Sequence, residues 1–139
     1  MKQISVFMEN KPGTLYWMTR ELAAHGIDIQ AFTLAEASDF GIARLIVSDV
    51  YNASMVLKES GYVNNVSDVV CVAVPDAPGG LNQILEVLSE GAVNIEYMYV
   101  FQGRKKDAYM IFKATDYNAA VTTLTEHRIK TLTQEELSE

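Results

Sequence analysis

Six consecutive residues, Asn10-Lys11-Pro12-Gly13-Thr14-Leu15, carry the clearest binding chemistry in the chain. A variant returns 66 residues later as Asp76-Ala77-Pro78-Gly79-Gly80-Leu81. Proline near a helix start wastes no hydrogen bond, because the first helical amides lack intrahelical partners anyway. Gly13, Gly79 and Gly80 keep the backbone bare, so a ligand can approach the peptide groups closely. Unpaired amides at a helix N-terminus attract an anionic group such as a carboxylate. Asn10 and Asp76 offer side-chain oxygens that could accept from the same amides. An ordinary strand-to-helix turn would use similar residues; the recurrence of the loop favours a binding role.

The remaining reactive side chains suggest no catalysis. His25 and His127 fall at predicted helix ends, where a basic group complements the helix dipole. Cys71 lies mid-strand with no histidine or basic residue beside it, the setting of an inert thiol. Glu135 and Glu136 belong to a polar tail and read as solvated carboxylates. Trp17 lies off the main apolar stripe of its helix and is a candidate for covering an interface. Phosphate-binding glycine loops, zinc-protease motifs and nucleophile elbows are absent from the sequence. The expectation is a non-enzyme with no catalytic residue, no metal site and no cofactor.

The elements that must position the two loops also recur. In one ungapped register Val6 meets Val72, Leu22 meets Leu88, Ile29 meets Ile95, and Tyr51-Asn52-Ala53 meets Tyr117-Asn118-Ala119. A period of this length fits a small domain rather than a solenoid unit. Two units are expected, residues 1–67 and 68–139. Alternation and helical spacing predict, for the first, strands over about 2–9, 27–36, 42–47 and 62–66. Its helices run over 13–25, with Leu15, Met18 and Leu22 as the apolar stripe, and over 51–60, with Asp49 as candidate cap. For the second, strands are predicted over 69–74, 93–101, 108–114 and 129–132, and helices over 80–90 and 118–126, with Asp116 as candidate cap. Gly26, Gly61 and Gly91 read as helix stops. Residues 64–68 form a tight join, and 133–139 an acidic, frayed tail. Each βαββαβ unit is ferredoxin-like, an α+β fold with two helices on one face of an antiparallel sheet. The other sheet face also reads apolar, with Phe32, Leu34, Met98, Val100, Met110 and Phe112 as candidates. A sheet apolar on both faces calls for a partner surface, most simply a homodimer.

The formal charge of −7 disfavours nucleic-acid backbones, which are held by clustered Lys and Arg, and anionic membranes. One cysteine excludes an intrachain disulfide. No signal-peptide core or membrane-length apolar run is present, so a cytoplasmic location is expected. RNA-recognition modules share the βαββαβ order, and residues 105–112 partly echo their strand signature. Lys106 and Asp107 replace the glycine and an aromatic of that signature, the companion aromatic is missing, and the charge is acidic. Arg104-Lys105-Lys106 reads instead as a solvated hairpin tip.

The stretches at 6–15 and 74–81, with Gly26-Ile27-Asp28-Ile29 and Ala92-Val93-Asn94-Ile95, resemble the ACT domain, a βαββαβ module that senses amino acids and other small metabolites. The family pattern is a hydrophobic strand, Asn or Asp two residues before Pro-Gly, a helix, then Gly-(Ile/Val)-(Asn/Asp)-Ile. Both copies carry it, with departures at Ala92, where glycine is usual, and Asp28, where asparagine is commoner. The resemblance implies a small-molecule ligand, an amino acid or related carboxylate, held by residues 10–15 or 76–81 of one unit. The start of another unit's second strand would complete the site, through Asp28 and Ile29 or Asn94 and Ile95. Asn10 with Asn94 keeps the commoner family residues. It also implies that the two copies pair into one eight-stranded sheet, and that nothing remains over for an enzyme. The chain is similar to stand-alone tandem ACT proteins, whose role would be regulatory. The alternative is a regulatory subunit of a separate metabolic enzyme, resembling the small subunits of branched-chain synthases, with vestigial ligand sites.

Overall fold

The computed structural model describes residues 1–103 and 107–138. Its contacts divide the chain into two compact units, Lys2–Ser67 and Met1 with Asp68–Glu139. The tip at Arg104-Lys105-Lys106 lies outside the described residues.

The unit Lys2–Ser67 runs β1 (Lys2–Glu9), α1 (Thr14–Ala24), β2 (Ile29–Ala37), β3 (Phe40–Val47), α2 (Val50–Glu59) and β4 (Val63–Asp68). Its strands form a four-stranded sheet in the order β2-β3-β1-β4. The helices bury one apolar stripe each, Met18 and Leu22 from α1 and Ala53, Val56 and Leu57 from α2. These pack on Ile4, Val6, Ala43 and Leu45, which project from one sheet face. Such alternate positions share a face because strand side chains have a period of two.

The second unit runs β5 (Val70–Val74), α3 (Gly80–Glu90), β6 (Ile95–Gln102), β7 (Ala108–Ala114), α4 (Tyr117–Glu126) and α5 (Gln134–Ser138). Its sheet has three strands in the order β5-β7-β6. Ile84, Leu88, Ala120 and Leu124 from the helices pack on Val70, Val72, Met110 and Phe112. The βαββαβ order appears twice, as the sequence predicts, with differences in detail. The expected last strand over 129–132 is reduced to a single bridge between Val72 and Thr131. The expected join at 64–68 is the body of β4. The tail forms helix α5, whose start is a reciprocal cap: the Glu136 amide donates to the Thr133 hydroxyl, while Glu136 accepts from Thr133. The strands form one four-stranded and one three-stranded sheet, one in each unit.

The residues expected on the second apolar face need correcting, since that face carries Ala31, Ile46, Cys71 and Ile111 instead. Met110 and Phe112 are fully buried in the helix-side core, and Met98 packs against it. Phe32 pairs with Leu45, Leu34 with Ala43 and Val100 with Met110, so these three also project to the helix side. They are partly exposed because β2 and β6 are edge strands. The cause is a register shift in each copy, between Ile29 and Ala31 and between Ile95 and Tyr97. A bulge reverses the alternation beyond it, so Val93 and Ile95 join the core on the same side as Met98.

All four main helices close alike. The αL residue follows the C-cap, and the next amide reaches back five residues, as in Ile27 to Leu22, Tyr62 to Leu57, Val93 to Leu88 and Ile129 to Leu124. The left-handed position is Gly26 and Gly61 in the first unit, but Ala92 and Arg128 in the second. Gly91, read as a stop, has an ordinary negative φ.

Candidate functional site

Each Pro-Gly loop ends in a glycine that serves as the helix N-cap in the left-handed conformation, Gly13 at φ 89° and Gly79 at φ 85°. Only glycine takes this conformation without steric cost. Neither helix has a side-chain cap. The other two do: the Asp49 carboxylate accepts from the Asn52 amide at 3.1 Å, and Asp116 from the Ala119 amide at 3.0 Å. The first turns of α1 and α3 are therefore left without the aspartate oxygen found at α2 and α4.

Asn10 does not cap the helix. Its side-chain amide donates to the Ser38 carbonyl at 3.3 Å, and its backbone N–H donates to the Asp39 carbonyl at 2.9 Å. Both bonds tie the loop to the β2–β3 turn. Lys11 extends beside Glu9, 2.9 Å from the carboxylate. That hydrogen bond holds the Glu9 carboxyl below its usual range and lifts the Lys11 ammonium above its own. Pro12 and Gly13 are exposed, and Thr14 and Leu15 half-buried. In the second unit Asp76, Ala77, Pro78 and Gly79 are exposed and Gly80 is buried. A side chain on Gly80 would collide with the Pro75 carbonyl.

Asp28 and Asn94 sit at equivalent strand entries. The Asp28 amide donates to the Ser48 hydroxyl at 3.0 Å, and the Asn94 side-chain amide donates to the Thr115 hydroxyl at 2.8 Å. Glu9 and Ala37 both pair with Phe40, whereas Ile29 pairs with Val47 at the far end of the sheet. At about 3.3 Å per residue, Asn10 and Asp28 of one unit therefore lie on the order of 25 Å apart. The second unit repeats this, with Val74 and Gln102 opposite Ala108 and Ile95 opposite Ala114. Within a unit the structure brings residues 10–15 together, and 76–81 together, but joins neither group to Asp28 and Ile29 or to Asn94 and Ile95.

Cavities flank the loops. One of about 350 Å³ lies between the first loop and the β2 edge, bounded by Asn10, Thr14, Leu15 and Leu34. Another of about 570 Å³ lies on the β4 side and is lined by Phe7, Trp17, Phe40 and Tyr62 beside Glu9 and Lys11. Sequence reasoning missed this aromatic cluster. The repeat shows Ala73 and Gln83 where the first copy has Phe7 and Trp17, and the helix-end bonds match Tyr62 with Ile129, but neither shows that these side chains meet. The second loop faces a cavity of about 610 Å³ with aliphatic walls that include Val74, Leu81 and Leu85.

The other candidate groups have structural surroundings. The Cys71 side chain is fully buried, and desolvation pushes its thiol up to about 12. His25 and His127 direct Nδ1 at the carbonyls of Glu21 and Thr123, each at 2.9 Å, at the ends of α1 and α4. Among the described residues no cluster of His, Cys, Asp or Glu could hold a metal ion, and no helix is long and apolar enough to cross a membrane.

The ACT domain pair family model matches residues 1–139. The chain belongs to this family, a class of ligand-binding regulatory modules. It is 38% identical to a structurally determined protein from Bacteroides thetaiotaomicron, with a TM-score of 0.91 covering 98% of this chain and 94% of that one. The regulatory subunit of aspartate kinase from Thermus thermophilus matches at 17% identity and a TM-score of 0.65, over 90% of this chain and 91% of that one. The corresponding Thermus flavus subunit matches at 18% and 0.62, over 90% of each chain. These two likenesses concern the fold. No curated protein matches the sequence.

Proposed function

We propose that the chain is a regulatory protein that binds an amino acid or related small carboxylate at its Pro-Gly loops, without chemistry of its own. The observation that carries this reading is the contrast in capping. Helices α2 and α4 have aspartate caps, whereas α1 and α3 start at bare left-handed glycines with no side-chain cap. A carboxylate placed there would accept from first-turn amides and interact favourably with the helix dipole. Each of residues 1–67 and 68–139 would contribute one such loop. Asp28, Ile29, Asn94 and Ile95 lie too far from the loop of their own unit to share its ligand. We assign them to the loop of another unit, as the family resemblance implies, and a cytoplasmic homodimer is part of the proposal. Binding would act by shifting the population of arrangements of the protein.

A melting screen against the twenty amino acids and common aromatic and branched-chain acids tests this. A ligand at a hundred times its dissociation constant adds about 2.7 kcal/mol, a shift of about 5–10 °C if unfolding is near two-state. Gly13→Val and Asn94→Ala should reduce it. No shift with any compound, in protein freed of carried-over ligand, would overturn the reading.

A second reading, a subunit that docks on a separate enzyme, is favoured by one observation. Tyr51 and Met55 stand one turn apart on α2 and are 68% and 61% exposed, an apolar pair facing solvent. The Thermus proteins of the same fold are regulatory subunits of aspartate kinase. Co-purification of a metabolic enzyme that is lost on Tyr51→Glu/Met55→Glu would support this reading.

A further inference from the structure

The first loop differs from the second in what surrounds it. Phe7, Trp17, Phe40 and Tyr62 come from four separate elements or their flanks, yet all line the 570 Å³ cavity beside Pro12. Trp17 and Phe40 are 52% and 60% exposed, large apolar surfaces left toward water. Trp17 is held in place: its indole lies 3.6 Å from where a Cβ on Gly13 would sit, and the Arg20 guanidinium stacks on the ring at 5.1 Å. The fold does not require this cluster. The second unit forms the matching strand, loop and helix with Ala73 and Gln83 at the equivalent positions, and has Ile129 where the first has Tyr62. Exposed aromatics that the fold can do without, gathered on one cavity, mark a ligand surface. At its rim stand one cation and one anion, Lys11 and Glu9, both well exposed. Such an exposed pair is weakly held and opens at little cost. Opened, it offers a positive and a negative group side by side, the complement of an α-amino acid's carboxylate and ammonium. The second loop has Ala77 and Pro75 at those positions and so no such pair.

We propose that the first unit's loop selects an aromatic α-amino acid, with its ring among Phe7, Trp17, Phe40 and Tyr62, its carboxylate on the first-turn amides and Lys11, and its ammonium on Glu9. This rests on the reading of the first Pro-Gly loop as a ligand site. The second loop is not an equivalent site.

Trp17 is the only tryptophan, so its emission reports the cavity directly. The whole chain is titrated with L-phenylalanine, which does not absorb where tryptophan is excited, and with L-leucine, phenylacetate and phenethylamine. Saturable change in Trp17 emission is expected with L-phenylalanine, and binding weaker by about tenfold or more with each compound that lacks the ring or one charge. Calorimetry on Trp17→Ala and Lys11→Ala should show a similar loss. Both side chains are on the surface, and a melting curve of each variant without ligand checks that it is folded. Tighter binding of L-leucine, or L-phenylalanine binding unchanged by Trp17→Ala, overturns the aromatic assignment. If the same binding is abolished by Gly13→Val, the loop reading stands while this inference falls. Absence of binding by any amino acid overturns both.

Discussion

Asp49 and Asp116 cap their helices with the same bond, at 3.1 and 3.0 Å, and stand 67 residues apart rather than 66. Each accepts the amide three residues on, which would otherwise lack a partner in the first turn. Asp49→Ala and Asp116→Ala should each lower stability by about 1 kcal/mol, and Asn at either position should retain most of it. Urea unfolding curves of the four variants check this, with unchanged slopes expected if only the native cap is lost.

That one-residue difference explains where the sequence misled. Val6 and Val72 are equivalent in structure at an offset of 66, but their partners Ala43 and Met110 are at 67. The second hairpin is thus one residue longer, and every later equivalence moves by one. Tyr51-Asn52-Ala53 and Tyr117-Asn118-Ala119 match in letters but sit one helix position apart, since α2 starts at Val50 and α4 at Tyr117. The true partners, Ala53 with Ala120 and Leu57 with Leu124, are all fully buried. The loops, helices and most strands were legible because periodicity and Pro-Gly punctuation are local signals. The strand faces were not, because a bulge changes no local composition yet reverses the alternation after it. The aromatic cavity was illegible for a third reason. Its residues lie far apart in sequence, and topology alone brings Phe40 and Tyr62 to Trp17.

Ala92 and Arg128 hold φ of 54° and 59° where the first unit has Gly26 and Gly61. A side chain in the left-handed region costs roughly 1–2 kcal/mol, partly offset by the lower chain entropy it has when unfolded. Ala92→Gly and Arg128→Gly should each raise stability by about 1 kcal/mol. Gly26→Ala and Gly61→Ala should lower it by a similar amount, although open space surrounds both glycines. Thermal melts of the four variants test the sign; a loss on Ala92→Gly would show that the left-handed turn is not what limits that helix end.

Cys71 should be unreactive in the folded protein. Burial favours the neutral thiol, raising it from 9.0 to about 12. A group whose folded value is raised contributes stability that is complete below its unfolded value and lost as pH rises through the folded one. Stability should therefore be flat in this respect below about pH 9 and fall between about pH 9 and 12, by at most about 1.4 kcal/mol per unit from this group. Alkylation by iodoacetamide at pH 8 should be slow in buffer and fast in denaturant. Equal rates would mean that the β5 face opens readily.

Adjacent glycines in the second loop serve different needs, and alanine separates them. Gly79 takes φ of 85° with open space where a Cβ would lie, so Gly79→Ala should cost only the backbone strain, roughly 1–2 kcal/mol. Gly80 has an ordinary conformation, but it is buried against the Pro75 carbonyl, and an added Cβ would collide with that backbone oxygen. Backbone cannot rotate away as a side-chain tip can. Gly80→Ala should therefore displace either the Pro75 peptide or the first turn of α3, at a cost of about 2–3 kcal/mol, the upper range for forcing atoms into a packed site. Amide hydrogen exchange would locate the damage at residues 75–84 for Gly80→Ala and leave β6 protected. If Gly79→Ala proves the costlier change, the conformation of the loop matters more than its packing.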